Sequence, residues 1–281
     1  MRSEMNSRSA SSERSYVLGS DPQELARLDR QAVFIEPATR LLLTAAGIGP
    51  GQRVLDLGTG LGHVARMAGQ LVGPAGSVVG LDRSVEALAV ARQRVETAGE
   101  SHVSFVEGDV GQWRADEPFD AVVGRLVLFH LQDPVAAVRH HVRDLRAGGL
   151  FVAIDFDIGG ARTEPAVGLA DAALDWVMRA FAASGAAPTI GARLGPLLEQ
   201  AGLVDVTTFG VQGYLPPNDP RGAALLAGVV RSLAGAIVKH GIATAEQLDL
   251  ATLEQRIGDE LRRGQAVLLP PTVAGAWGRS G

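Results

Sequence analysis

The sequence predicts an α/β protein built on a doubly wound parallel sheet. Three observations carry that reading: short Val, Leu and Ile runs recur from Gln52 onward, amphipathic helical segments separate them, and a glycine-rich turn closes the first run. Runs that are apolar throughout belong to strands covered by helices on both faces. At 281 residues, 46% hydrophobic and 20% charged, the chain can bury a full core as one large domain or two small ones. It has no cysteine, which excludes disulfides, thiolate metal sites, iron–sulfur clusters and cysteine nucleophiles. A formal net charge of −5 argues against nucleic acid as the main partner. No uninterrupted apolar run approaches the ~20 residues of a membrane helix. Residues 1–15 lack an apolar signal core, so a cytoplasmic protein without a membrane partner is expected.

The elements follow in order. Residues 1–15, rich in Ser, Arg and Glu, read as a disordered tail. Residues 16–50 form a helical cap: Asp21-Pro22 starts one helix, and a second spans 37–46 before Gly47. The core, 51–160, reads as strand 53–57, helix 62–71, strand 77–81, helix 84–97, strands 102–107 and 119–123, helix 133–146 and strand 150–155. Residues 161–281 are less regular. Helices are expected at 169–183 and 192–201, a strand at 204–214, helices at 221–240 and 245–263, and an apolar segment at 266–277. This order implies a helical insertion between two late strands, serving as a lid or a dimer surface.

The sharpest signal is Val54-Leu-Asp-Leu-Gly-Thr-Gly-Leu-Gly62, a strand ending in an acid that runs into glycines spaced two apart. In doubly wound sheets, ligands bind at the carboxyl ends of the strands. Gly58 and Gly60 allow a sharp turn and close approach, and the next helix aims its N-terminal N–H groups at the ligand. A dinucleotide site wants G-x-G-x-x-G, but here the pattern is G-x-G-x-G and His63 takes the third position. Asp56 would repel a pyrophosphate and welcome an ammonium. S-adenosylmethionine, with an amino acid end and a sulfonium, suits that charge pattern. Asp82 ends the second strand, where an acid accepts from ribose hydroxyls. Asp109 follows the third, placed for the adenine amino group beside the Val110 N–H. Each acid alone could be a helix cap; three ending successive strands form a row that capping does not require.

These residues resemble class I S-adenosylmethionine-dependent methyltransferases, of the bacterial small-molecule, natural-product type. Leu55-Asp-Leu-Gly-Thr-Gly60 is similar to their first motif, with Thr59 where Cys or Ser is common. Val79-Gly-Leu-Asp82, followed by Arg83, resembles the ribose motif, and Glu107-Gly108-Asp109 the adenine motif. Phe119-Asp-Ala-Val-Val123 and Leu145-Arg-Ala-Gly-Gly149 resemble the fourth strand and the turn before the fifth. The resemblance is strong over 16–154 and loose beyond. It implies a Rossmann-like, seven-stranded, mostly parallel sheet whose last strand is antiparallel. It also implies that Tyr16, in a segment folding over the cofactor, contacts the methionine end.

The transferred methyl should project near the ends of the fourth and fifth strands. His130 is the candidate general base there, its ordinary pKa near 6.5 suiting the role, against a structural hydrogen-bonding role. Arg125 interrupts an apolar run and could pair with the cofactor carboxylate or with a nearby Asp. Asp155 and Asp157 share one side of a strand; Asp155 is a candidate catalytic group and Asp157 a substrate contact. No third ligand accompanies them, so no metal is expected. Trp176, Phe181, Tyr214 and Trp277 are candidates for an apolar substrate pocket, against ordinary packing. Adjacent His140 and His141 point apart on a helix and are expected at the surface. The reading is methyl transfer to a small, largely apolar metabolite in secondary metabolism, with oxygen the favoured acceptor over carbon or nitrogen. The alternative is a cyclase, pericyclase or isomerase that retains the cofactor, since fold alone does not fix chemistry. A cofactor-binding regulatory protein without turnover is a third reading, and a homodimer is open.

Overall fold

The computed structural model describes residues 22–281. Its main sheet has seven strands: β1 (Arg53–Leu57), β2 (Ser77–Asp82), β3 (Val103–Glu107), β4 (Phe119–Arg125), β5 (Leu145–Asp157), β7 (Val204–Val211) and β9 (Thr272–Arg279). They lie in the order β3-β2-β1-β4-β5-β9-β7. β1 to β5 are mutually parallel, and β9 runs antiparallel to both β5 and β7. The order reverses at β1/β4, which places the switch point beside the glycine-rich turn. A two-stranded ribbon, β6 (Arg162–Glu164) with β8 (Val267–Leu269), stands apart and was not expected from the sequence.

Alternate residues of each strand enter different cores, as a period of two requires. Val54, Val78, Ala121, Val123 and Val152 pack with Leu42, Leu43 and Val64, from α1 (Pro22–Ala46) and α2 (His63–Val72). Leu55, Leu81, Val122, Phe151 and Ala153 face the opposite layer. That layer draws on α4 (Pro134–Val142), α5 (Gly168–Ala183), α6 (Leu194–Gln200), α7 (Pro220–Lys239) and α9 (Leu253–Gly264). α3 (Val85–Ala98) follows β2, its N-cap Ser84 accepting from the Ala87 N–H. The helical insertion lies between β7 and β9, as expected. Its helix α7 is long and apolar enough by composition to cross a bilayer, and here it packs against α5 and α9.

Several expected boundaries are corrected. The cap contains one helix through Pro37, not two. Val33, whose carbonyl loses its donor to Pro37, is 65% exposed and open to water. One turn on, the Thr39 hydroxyl donates to the Ile35 carbonyl at 2.9 Å. The helix expected at 245–263 is broken: α8 (Ala245–Leu248) ends where Asp249 turns left-handed, and α9 restarts at Leu253. α4 stops at Val142, because Leu145 already pairs with Phe119 to open β5. The apolar segment at 266–277 splits at Pro270-Pro271 into β8 and β9, since neither proline can donate to a ladder. β7 ends at Val211, short of Tyr214.

Candidate active site

The glycine-rich turn rides over the C-terminal end of β1. Gly58, Gly60 and Gly62 take positive φ of 62°, 52° and 79°. A Cβ on Gly58 would lie 2.6 Å from Val127 Cγ2, so this glycine also admits the segment after β4. The turn is tied to β2 by the Thr59 N–H, which donates to the Leu81 carbonyl at 2.9 Å. The Gly60 N–H donates to Asp82 Oδ2 at 2.8 Å. Asp82 Oδ1 accepts from the Ser84 N–H at 2.9 Å, so this half-buried acid shapes the rim while each oxygen keeps a lone pair. Arg83 beside it is exposed. The Gly108 N–H donates to the Asp82 carbonyl at 2.9 Å, bringing Gly108, Asp109 and Val110 against the same rim. Asp109 is exposed, and its Oδ1 accepts from the Gly111 N–H at 2.7 Å.

Asp56 is the most constrained member. It is 1% exposed, and its Oδ2 has no hydrogen-bond partner; neither does the buried Thr59 hydroxyl. Burial pushes the Asp56 carboxyl up to about 7, with the Thr59 hydroxyl and the Arg125 charge acting the other way. Arg125 donates to the Thr39 hydroxyl at 3.2 Å. Burial lowers its pKa to about 10, with the Asp56 and Glu36 charges opposing. Its guanidinium lines a cavity of about 80 Å³ between α1 and α2, with Glu36, Arg40, His63 and Arg66 on the other walls. Asp29 of α1 bonds His63 Nε2 at 2.7 Å and accepts from Arg94 Nη2 at 2.8 and 2.9 Å.

After β4, Leu126 adopts a left-handed φ of 57°, and a 3-10 turn, Leu128–His130, follows. Asp155 supports this turn from β5: it is fully buried, and its Oδ2 accepts from the Phe129 N–H at 3.3 Å while Oδ1 has no partner. Burial raises its carboxyl to about 8, the backbone N–H groups of Phe129, Leu128 and Phe156 opposing. Asp155 is therefore mainly a neutral acid near pH 7, beneath the turn that carries His130. His130 contacts Phe129 edge-on at a centroid distance of 5.0 Å, and Phe129 meets Phe181 of α5 at 4.9 Å. Burial, with the Arg83 charge adding, lowers His130 to about 4. It is a neutral imidazole at pH 7 and a weaker proton acceptor than its ordinary value promised. Asp157 Oδ1 accepts from the Gly159 N–H at 3.1 Å, capping the next turn. Trp176 packs half-buried on α5, whereas Tyr214 is 70% exposed beyond β7. Tyr16 lies outside the described residues. Among the described residues, no group of three or more His, Asp or Glu side chains is placed to hold a metal ion.

Residues 48–202 match the methyltransferase domain family, more than half of the chain. The chain belongs to the class I S-adenosylmethionine-dependent methyltransferases. Among curated methyltransferases, the ubiquinone/menaquinone biosynthesis C-methyltransferase UbiE of Pseudomonas paraeruginosa is 34% identical over 119 residues, 42% of this chain and 46% of that protein. The arsenite methyltransferase of Halobacterium salinarum is 35% identical over 105 residues, 37% of this chain and 27% of that protein. The chain thus spans less than half the length of these relatives. Among solved structures, a Bacillus halodurans C-125 protein superposes with a TM-score of 0.57 at 22% identity, over 86% of this chain and 98% of that one. Haemonchus contortus phosphoethanolamine N-methyltransferase 2, in complex with phosphomonomethylethanolamine and S-adenosylhomocysteine, gives 0.54 at 18% identity, over 87% and 52%. At these identities the superpositions establish the fold.

In a methyltransferase of this class the rim must satisfy an ammonium, a carboxylate, a diol and an adenine. The residues present fit. The unpartnered Asp56 Oδ2 is an acceptor awaiting a donor, and the buried Thr59 hydroxyl beside it can donate or accept. Arg125 spends one N–H on Thr39 and keeps others for a carboxylate. Reading the sequence missed the Asp29–His63–Arg94 clamp, the left-handed Leu126 and the burial of His141. His141, expected at the surface, is 0% exposed. Its Asp partner three residues on was the visible signal, because i and i+3 share a helix face.

Proposed function

We propose that the chain transfers a methyl group from S-adenosylmethionine to a small, largely apolar metabolite. The observation that carries this reading is the buried Asp56 carboxyl, whose Oδ2 has no partner, set between the glycine turn and Arg125. A buried acceptor without a partner costs about 1–3 kcal/mol, which an ammonium donor would recover on binding. When bound, the cofactor supplies an activated methyl on a sulfonium; the protein supplies orientation and exclusion of water. Asp56 and Arg125 would fix the amino acid end, Asp82 the ribose, and Asp109 with Val110 the adenine. The Leu128–His130 turn, held from below by Asp155, would present the acceptor.

Substrate preference follows from the surroundings of that turn. Phe129 and Phe181 are buried against each other beside it, and α5, which carries Phe181, packs on the apolar helix α7. A His130 lowered to about 4 cannot drive deprotonation of an aliphatic alcohol. This favours an acceptor that is nucleophilic with little help: an acidic hydroxyl of the phenol or enol type, the activated carbon beside it, or an amine nitrogen. The test is incubation with methyl-labelled cofactor and a panel of phenolic, enolic and amine metabolites. Labelled product with stoichiometric S-adenosylhomocysteine is expected. Rearranged product with the cofactor unspent would overturn methyl transfer, and absence of saturable S-adenosylhomocysteine binding would overturn the whole site.

A further inference from the structure

We infer that His141 is a positioning residue for the adenine end of the site: an imidazolium latch that fixes Val110 from behind. The inference rests on reading residues 108–110 as the adenine loop. His141 lies inside α4, with Nδ1 2.8 Å from Asp144 Oδ2 and Nε2 2.7 Å from the Val110 carbonyl oxygen. Both partners are acceptors, so only the doubly protonated ring can satisfy both contacts. Asp144 ties back to the same loop. Its Oδ1 accepts from Arg114 Nε at 2.8 Å and from the Ala115 N–H at 3.3 Å. The neighbouring His140 places Nε2 2.8 Å from the Trp113 carbonyl oxygen. The last turn of α4 and Asp144 just after it thus grip the loop at Val110, Trp113, Arg114 and Ala115. The loop itself has no regular secondary structure from Gly108 to Pro118, apart from turns.

The charged and titratable groups facing His141 are Asp144, the Arg114 bound to it, and His140, whose ring meets it edge-on at 4.9 Å. Burial lowers the His141 pKa; Asp144 and the Val110 carbonyl oppose this, and His140 adds to it. Above its titration the ring keeps one N–H, and the carboxylate is the stronger acceptor. Nε2 then turns a lone pair on the Val110 oxygen, and that contact opens. The adenine loop is therefore held best on the acid side of the titration. By linkage, adenine bound on the far side of Val110 must raise the His141 pKa in the same proportion.

The experiment measures S-adenosylhomocysteine and S-inosylhomocysteine binding by calorimetry from about pH 5 to about pH 8.5, for wild type and His141→Gln. In the inosyl compound a carbonyl replaces the amino group that would face Asp109. Wild type is expected to prefer the adenosyl compound, and that preference, in which the Asp56 contribution common to both ligands cancels, should be about threefold or more larger below the His141 titration than above it. His141→Gln should make the preference independent of pH and shrink it, whereas a merely structural role would weaken both ligands alike. Nitrogen NMR of the wild-type imidazole gives the variant-free check. Both ring nitrogens should carry protons at acid pH, and S-adenosylhomocysteine should raise the pKa by about 0.5, the same threefold. An identical pKa with and without ligand, or an unchanged preference and profile in His141→Gln, would overturn the latch alone. Wild type failing to bind S-adenosylhomocysteine at any pH would overturn the cofactor reading beneath it.

Discussion

Asp56 and Asp155 are both buried acids near the ends of neighbouring parallel strands, yet their environments assign them different tasks. Asp56 has its pKa raised to about 7 and stands beside the Arg125 charge, where a cationic ligand would stabilise its ionised form. Binding an ammonium there should release a proton. At about pH 6.5, calorimetry in two buffers of different ionisation enthalpy should show release of a fraction of a proton on S-adenosylmethionine binding. Asp56→Asn should abolish that release and weaken binding about tenfold or more, the equivalent of about 1.5–3 kcal/mol for a charged hydrogen bond. Equal proton release in both proteins would remove Asp56 from the site. Asp155 is held at about 8 by burial, against about 3.9 for an unfolded aspartate. The fold binds its proton more tightly than the unfolded chain does. Its contribution to stability is therefore fully present below about pH 4 and is lost as pH rises towards about 8. Asp155→Asn keeps the shape and removes the titration. Its Tm should match wild type at about pH 4 and exceed it at about pH 8. Asp56 has the same sign and leaves a residual slope ending near pH 7. A Tm profile unchanged by the substitution would mean that Asp155 is ionised in the native state.

At the scale of elements, the turn after β1 and the segment after β4 are fitted to each other through Gly58 and Val127. Gly58 and Gly60 have similar left-handed φ, but a Cβ on Gly60 would meet nothing within 4 Å. Alanine at either glycine carries the backbone cost of about 1–2 kcal/mol; Gly58→Ala adds the collision with Val127. Denaturant unfolding should show Gly58→Ala the more destabilised by about 1–3 kcal/mol, and Val127→Ala added to it should recover that excess only. Equal losses at the two glycines would mean that the strands are not coupled there. These elements also show what a one-dimensional reading can reach. β1 to β4 were legible because buried parallel strands are continuous apolar runs punctuated by glycine and acid, and the acid row at Asp56, Asp82 and Asp109 is set by strand ends alone. The single helix through Pro37 was not, because whether a lost carbonyl donor matters depends on which face meets water. The break at Asp249 was hidden by an amphipathic pattern that continues across it. His141 was misplaced because α4 has apolar residues on more than one side, and only the neighbouring loop decides which face is inside.

Across the whole molecule, the two layers divide the work. The family match ends at residue 202, before α7 and α9, while every rim acid lies between 56 and 109. On the proposed reading, the cofactor contacts thus fall in the matched part, while the helical insertion lies beyond it. The rim is nonetheless assembled from four strand ends that meet only when the sheet is complete. A ligand bound there must stabilise the native state as a unit, because the unfolded chain offers no site. S-adenosylhomocysteine at about 100 times its Kd should add about 2.7 kcal/mol, which for a chain of this size raises Tm by about 5–10 °C. Asp82 accepts from Gly60 and Ser84 and, on the proposed reading, would also face the diol, so Asp82→Ala should loosen both the turn and the ligand. With binding weakened about tenfold, the same ligand concentration should give about half the stabilisation. The shift is read by scanning calorimetry against each protein's own ligand-free Tm, which separates lost affinity from lost fold. A full shift in Asp82→Ala would place the diol elsewhere, and no shift in wild type would mean that the assembled rim holds no adenosyl amino acid.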